Sequence, residues 1–329
     1  MKVATFVCTL LVFTLLAAPH ANAAPHAKRR VRIRTATIHR TQPIRRPMRT
    51  INSEGGIPRA NAIIAELKEK FPGFAERLIR DPRFAFDIRA VVGTVRVVGY
   101  PPEWYEGYQG NYAMSNFAIK QCESVLQANQ EQFDRIESQF VSAKNSVKRE
   151  SVIAILDNEA MCGAGPLGTH PIFGALYAHA AFNRRAKRRK WAHDELIAFM
   201  RLAQRYENAP GAAWNPNLGI VGWSDPFTIK GSWAGAFGLN QDLPSAYERT
   251  AMRDDGARCV SQIESGVPPN PFDLRDAHCS IASYLLKTGR TGYMSFLRYN
   301  PSRSYARSCV KAARRFRTDM LVARTKAAR

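Results

Sequence analysis

Apolar residues recur at three- and four-residue intervals along much of the chain, a period that predicts helices. In NFAIKQCESVLQANQEQFDRIESQF, the residues Ile119, Cys122, Leu126, Phe133, Ile136 and Phe140 fall on one helical face. DELIAFMRLAQRY repeats the pattern with Leu196, Phe199, Met200 and Ala203, and NAIIAELKEKF adds a shorter stripe after Ile57. DAHCSIASYLLKTG reads as a helix stopped by Gly289, and SYARSCVKAARRFRTDML as a basic helix running toward the C-terminus. FDIRAVVGTVRVVGYPPEWYEGY is different: β-branched, aromatic and rich in turn residues, it suits a short strand pair or an irregular surface. The expectation is one mainly helical domain over roughly 57–320 with little sheet.

KRESVIAILDNEAMCGAG predicts a buried helix that carries an acid. Val152, Ile155 and Leu156 precede Glu159 by seven, four and three residues, so Glu159 shares their face, while Asp157 and Asn158 lie on others. Gly163 reads as the helix stop, which puts Glu159 in the last turn. Burial and the negative end of the helix dipole both raise a carboxyl pKa, as a general acid near neutral pH requires. A carboxylate paired with an arginine at the helix end is the plainer alternative.

The N-terminus changes the setting. Lys2, the apolar run Val3–Ala18 and Ala21-Asn22-Ala23 form a secretory signal cleaved after about Ala23, so residues 1–23 are expected to be removed on export to the periplasm or cell envelope. With 48 Lys and Arg against 27 Asp and Glu, the formal charge is +21. Much of it lies between Lys28 and Arg49, where no acid occurs, and the bias returns near the C-terminus. Residues 24–56 therefore read as a disordered basic tail and 321–329 as a second basic tail. Such tails suit anionic envelope polymers or a membrane surface. Export and the lack of a nucleic-acid-binding motif argue against a nucleic-acid partner. Five cysteines remain after the leader, Cys122, Cys162, Cys259, Cys279 and Cys309, enough for at most two internal disulfides. A Cys259–Cys279 pair would staple a Pro-rich loop, but spacing alone leaves the pairing open. No cofactor motif or zinc-type ligand spacing is present.

One further stretch needs explaining. GSWAGAFGLNQDLPSAY packs Gly231, Gly235 and Gly238 around Ser232 and Gln241, and glycine at this density implies close approach to other backbone or to a ligand. Together with AILDNEAMCG, FNRR, DAHCSIASYLL and RYNPSRSYARSCV, in that order, it resembles the type B lytic murein transglycosylases from about Arg149 to Phe316. The resemblance implies a lysozyme-like α+β catalytic domain. It implies that Glu159 is the single catalytic acid and base, with Ser232 beside the reacting sugar. Arg184 and Arg185 are placed near bound glycan, and Gln241, Tyr299, Asn300 and Tyr305 along the groove. The implied substrate is peptidoglycan, cut between N-acetylmuramic acid and N-acetylglucosamine with closure of a 1,6-anhydro ring, and no cofactor.

Two residues depart from the family pattern: Ala160 replaces the Thr after the acid, and Asp242 the Phe after the groove Gln. These keep open a muramidase-type hydrolase, with Asp242 as second carboxylate, and an inactive peptidoglycan-binding protein. The family's calcium loop is reduced to Asp254, Asp255 and Gly256 between Arg253 and Arg258, too few oxygen ligands for a hard cation, so no metal is expected.

Overall fold

The computed structural model describes residues 55–87, 90–91, 115–143, 145–165, 167–209 and 222–327, with 321–327 as backbone only. The signal segment, the basic stretch up to Arg49 and most of FDIRAVVGTVRVVGYPPEWYEGY lie outside the described residues. All described elements belong to the unit Arg49–Arg329.

The helices, in chain order, are α1 (Gly56–Lys70), α2 (Phe74–Arg80), α3 (Asn116–Ala128), α4 (Gln130–Gln139), α5 (Arg149–Ala160) and α6 (Ile172–Phe182). They continue with α7 (Ala186–Tyr206), α8 (Pro244–Thr250), α9 (Leu274–Lys287), α10 (Gly292–Tyr299) and α11 (Arg303–Ala327), which runs past residue 320 as unbroken helix. Sheet is minimal among the described residues. β1 (His170–Pro171) pairs antiparallel with β2 (Lys230–Gly231), and β3 (Met252–Asp254) with β4 (Cys259–Ser261).

The predicted stripes become two apolar cores. One gathers Phe133 and Ile136 of α4, Val152–Leu156 of α5, Ile281 of α9, and Tyr305, Cys309 and Phe316 of α11. The other gathers Leu67 of α1, Phe173 and Tyr177 of α6, and Leu196 and Phe199 of α7 around Trp223. The Gly-rich stretch crosses between them, since Phe237 packs in the second core, edge-on to Trp223 at 5.8 Å, and Leu239 in the first.

Two local readings are corrected. The single helix expected over NFAIKQCESVLQANQEQFDRIESQF breaks at Asn129, which leaves helical angles at φ −122° and ψ 28° while its backbone and side-chain amides both donate to the Val125 carbonyl, at 3.2 and 2.8 Å. α5 stops at Ala160, before Gly163: Met161 caps it in the left-handed region with φ 44°, and Cys162 follows at φ 50°. Two consecutive non-glycine residues in this region are strained and must be held by their surroundings. The hold is covalent, because Cys162 is bonded to Cys122 of α3. A second disulfide, Cys259–Cys279, ties β4 to α9, and Cys309 remains a buried free thiol. Closing this loop contributes about 3 kcal/mol in the chain-entropy account.

Candidate active site

α5 is buried on nearly every side, with an unbroken run from Val152 to Asp157. Its N-terminal turn is anchored by Arg149, which pairs with Asp134 and Glu137, and by Glu150, which pairs with Arg317 of α11 at 2.7 Å. Because the helix is buried nearly all round, the face shared with Ile155 and Leu156 does not distinguish Glu159. Its place one residue before the left-handed turn does. There the side chain is half-buried, and burial pushes its carboxyl up to about 8. The Tyr305 hydroxyl opposes that rise and the Asp242 carboxyl adds to it.

Tyr305 is wholly buried, and its hydroxyl has no hydrogen-bond partner among the described residues. The group it faces is the Glu159 carboxyl. Its ring lies parallel to that of Tyr299, with centroids 6.4 Å apart, and the Tyr299 hydroxyl donates to the Asn240 carbonyl at 2.7 Å. Asn300 is half-buried beside Tyr299, and its carbonyl accepts from the Ser302 amide at 2.8 Å. Glu159, Tyr299 and Tyr305 are thus brought together, with Asn300 next to them in the chain.

The Gly-rich stretch folds into a tight double turn. Ser232 donates its amide to the Ala236 carbonyl at 2.8 Å and accepts the Ala236 amide on its hydroxyl at 3.1 Å. Gln241 sits at φ 51° and spends its amide on the carbonyls of Gly238, at 2.8 Å, and Leu167, at 3.3 Å, which leaves its oxygen as an acceptor. The glycines are accounted for by protein contacts. A Cβ at Gly231 would strike the Ala236 carbonyl, and Gly238, at φ 73°, rests on Pro271. Buried His179 fastens the stretch to α6 by a 3.2 Å bond from Nε2 to the Trp233 carbonyl and a 2.9 Å bond between Nδ1 and the Asn183 amide. That pattern requires a neutral ring, and burial lowers its pKa to about 4.

Arg184 and Arg185 are exposed at the α6–α7 turn, form no ion pair with described residues, and make no described contact with Glu159. Their link to the Gly-rich stretch is indirect: Arg188, one turn further, lies 5.9 Å from the Trp233 ring centre.

Three further buried polar residues lie near these: Asp242, which the sequence offered only for the hydrolytic alternative, and Asn240 and Asp157, which it did not offer. Asp242 is buried, and burial pushes its carboxyl up to about 7. Asn240 donates its side-chain amide to it at 3.3 Å, and the Asn240 Oδ1 is buried with no partner among the described residues. Asp157, expected on another face, is 1% exposed and raised by burial to about 8. One Asp157 oxygen has no partner; the other lies 3.9 Å from the Cys122 sulfur, which as a disulfide sulfur carries no hydrogen to donate. The sequence signal for Asp157 was available, since α5 offers no polar face to receive it.

The β3–β4 hairpin does not fit calcium. The Asp254 carboxylate, whose side chain is 1% exposed, is taken by Arg275 at 2.8 Å and Arg135 at 3.5 Å. Asp255 accepts the amides of Ala257 and Arg258. Guanidinium groups thus stand where a cation would have to bind, and among the described residues no group of three or more His, Cys, Asp or Glu is placed to hold a metal. Millimolar calcium, and then a chelator, are expected to leave Tm unchanged; a calcium-dependent rise reversed by the chelator would contradict this.

The chain resembles three solved structures. Escherichia coli lytic transglycosylase Slt35 in complex with calcium is 18% identical, with TM-score 0.61 over 80% of this chain and 94% of that one. Pseudomonas aeruginosa soluble lytic transglycosylase SltB1 is 18% identical, with TM-score 0.62 over 80% and 99%. Pseudomonas aeruginosa SltB3 in complex with NAG-NAM-pentapeptide is 16% identical, with TM-score 0.60 over 80% of each chain. These likenesses establish a shared fold. No curated protein matches the chain. The Transglycosylase SLT domain family matches residues 103–294, more than half of the sequence and the stretch that holds Glu159 and the Gly-rich loop, and the chain belongs to that family.

Proposed function

We propose that this lytic transglycosylase cleaves the β-1,4 bond between N-acetylmuramic acid and N-acetylglucosamine in peptidoglycan with Glu159 as its acid and base. The observation that carries the reading is Glu159 itself, a half-buried carboxyl at the end of α5 that holds its proton near neutral pH. Glu159 gives that proton to the leaving glycosidic oxygen while the acetamido oxygen of the muramic acid closes on C1. The resulting carboxylate then removes the proton from the 6-hydroxyl, O6 displaces the acetamido oxygen at C1, and a 1,6-anhydro ring forms. Proton and electron pairs balance, and no water is consumed. Tyr299 and Tyr305 wall the acid, and Asn300 and the free oxygen of Gln241 offer acceptors to sugar hydroxyls. Ser232, on the tight turn with Ala236, is assigned to the reacting sugar, and Arg184 and Arg185, both exposed, to the acidic peptide stems.

Purified sacculi test the reading. The soluble products are expected to end in 1,6-anhydro-N-acetylmuramic acid, lighter by one water than reducing-end products. The hydrolytic alternative needs a second carboxyl to activate a water, and the buried Asp242 is the candidate for that role. Reducing ends would select it.

Export to the periplasm or envelope is part of the proposal. The leader-like N-terminus supports it, as do two disulfides, which persist in oxidising compartments. Among the described residues, no helix is long and apolar enough to cross a membrane. Arg303, Arg307, Lys311 and Arg314 are exposed at one-turn spacing along α11 and have no acidic partner among the described residues, which suits contact with an anionic envelope surface alongside the basic N-terminal stretch.

A further inference from the structure

We propose that Asp276 is a positioning residue for the glycan groove: its buried carboxylate fixes the loop on which the Gly-rich stretch rests, and through that loop sets the place of Gln241. The consequence for the glycan rests on the reading of the Gly-rich stretch as part of the groove, but the placement itself is measured without turnover.

The loop before α9 is poor in hydrogen-bond donors. Of Pro268, Pro269, Asn270 and Pro271, only Asn270 carries a backbone N–H. That N–H is donated to one carboxylate oxygen of Asp276 in α9 at 2.7 Å, while the other oxygen accepts the amide of Asp254 in β3 at 2.8 Å. Asp276 is buried, so an amide deprived of it is left unpaired.

Both ends of this bridge are anchored. The Asp254 carboxylate is held by Arg275 at 2.8 Å and Arg135 at 3.5 Å, and the Cys259–Cys279 disulfide ties β4, the partner strand of β3, to α9. Asp273 accepts the amides of Arg275 and Asp276, at 2.8 and 3.2 Å, and so caps the turn of α9 from which Asp276 projects. The Tyr247 hydroxyl of α8 donates to the Pro269 carbonyl.

On its other side the loop carries the Gly-rich stretch. The Pro271 carbonyl accepts the Leu239 amide at 2.7 Å, and Gly238 lies so close that a Cβ there would come within 2.5 Å of Pro271. The Gly238 carbonyl in turn accepts from Gln241 twice, from the backbone amide at 3.2 Å and from the side-chain amide at 2.8 Å. The remaining bond of Gln241, to the Leu167 carbonyl at 3.3 Å, is the longest it makes. Proline restricts φ at three of the four loop residues, so a shift at Asn270 is passed to Pro271 rather than absorbed. The acceptor oxygen that Gln241 keeps for a sugar hydroxyl is thus placed from α9.

The test follows amide hydrogen exchange by NMR in the full-length protein and in Asp276→Asn. In the wild type, the amides of Asp254, Asn270 and Leu239 are expected to show protection within about tenfold of one another, as parts of one opening unit. Asn keeps one acceptor oxygen but turns an NH2 group toward the second amide. In the variant all three amides are therefore expected to lose protection by at least about tenfold, while those of α5 and α7 keep theirs. The KM for soluble glycan strands is expected to rise about tenfold with kcat within about threefold of wild type, because Glu159 on α5 lies off this path. A larger spread of protection among the three amides in the wild type would break the path at Pro271 and overturn the proposal, a result that needs no variant to fold. So would an equal loss of protection in the variant at these amides and throughout α5 and α7, which would make Asp276 a structural residue only. Local loss of protection with KM unchanged would uphold the placement and overturn the assignment of Gln241 to the glycan, so the two readings fail separately.

Discussion

Glu159→Gln is expected to reduce release of soluble glycan from sacculi at least about a thousandfold while the protein stays folded and still binds sacculi. General acid catalysis alone contributes about a hundredfold to ten-thousandfold, and here one group serves both the protonation and the deprotonation step. Gln keeps the size of the side chain and can still meet the Tyr305 hydroxyl, but it has no proton to give. The buried charge is also removed, so the variant is expected to melt no lower than the wild type. Release within about tenfold of wild type would place the acid elsewhere, and sedimentation with sacculi together with circular dichroism would separate that outcome from misfolding.

Asp157→Asn is expected to give the largest gain in stability of any single change at the site, with activity retained. Asp157 is raised from 3.8 to about 8 by burial. A carboxyl whose folded pKa lies above its unfolded value contributes stability that is fully present below about pH 4 and is lost as pH rises through about 8. Asn carries no charge at any pH, so the variant escapes that loss. The two proteins are expected to melt together at about pH 4, and the variant about 5 °C or more higher at about pH 8, for a difference on the order of a few kcal/mol. Equal melting temperatures at both pH values would show that Asp157 is not held as a buried acid. A loss of activity with the gain in stability would draw Asp157 into the chemistry.

How much of this was legible in the sequence follows from what kind of signal each part carries. Helical period located α5, α7 and α9, because apolar spacing survives in any helix with one buried face. It failed at Asn129, where the backbone leaves helical angles in the middle of a continuous stripe, and at the end of α5, where a disulfide rather than a glycine fixes the left-handed turn. Glu159 was found as a charged residue at the end of an apolar run. Asp157 was not, although the unbroken apolar run before it left α5 no solvent face to receive it, and Asn240 was not, because its burial comes from neighbours distant in the chain. The density of glycines in the loop left open whether they approach other backbone or a ligand; Gly231 and Gly238 are required by the protein's own backbone and by Pro271. Ser232 and Gln241 also serve that loop, which their residue types alone could not reveal.

The bond between Cys122 and Cys162 makes the shape of the site conditional on the chain's redox surroundings. It joins α3 to the strained turn that follows Glu159. With both thiols reduced, the helices retain their apolar packing but no covalent tie opposes relaxation of Met161 and Cys162 toward ordinary backbone angles. The acid at the end of α5 would then lose its fixed relation to Tyr305 and Asp242. Reduction of this bond is therefore expected to lower glycan release more than it lowers helix content, a difference that circular dichroism and a sacculus assay on reduced and oxidised protein would read.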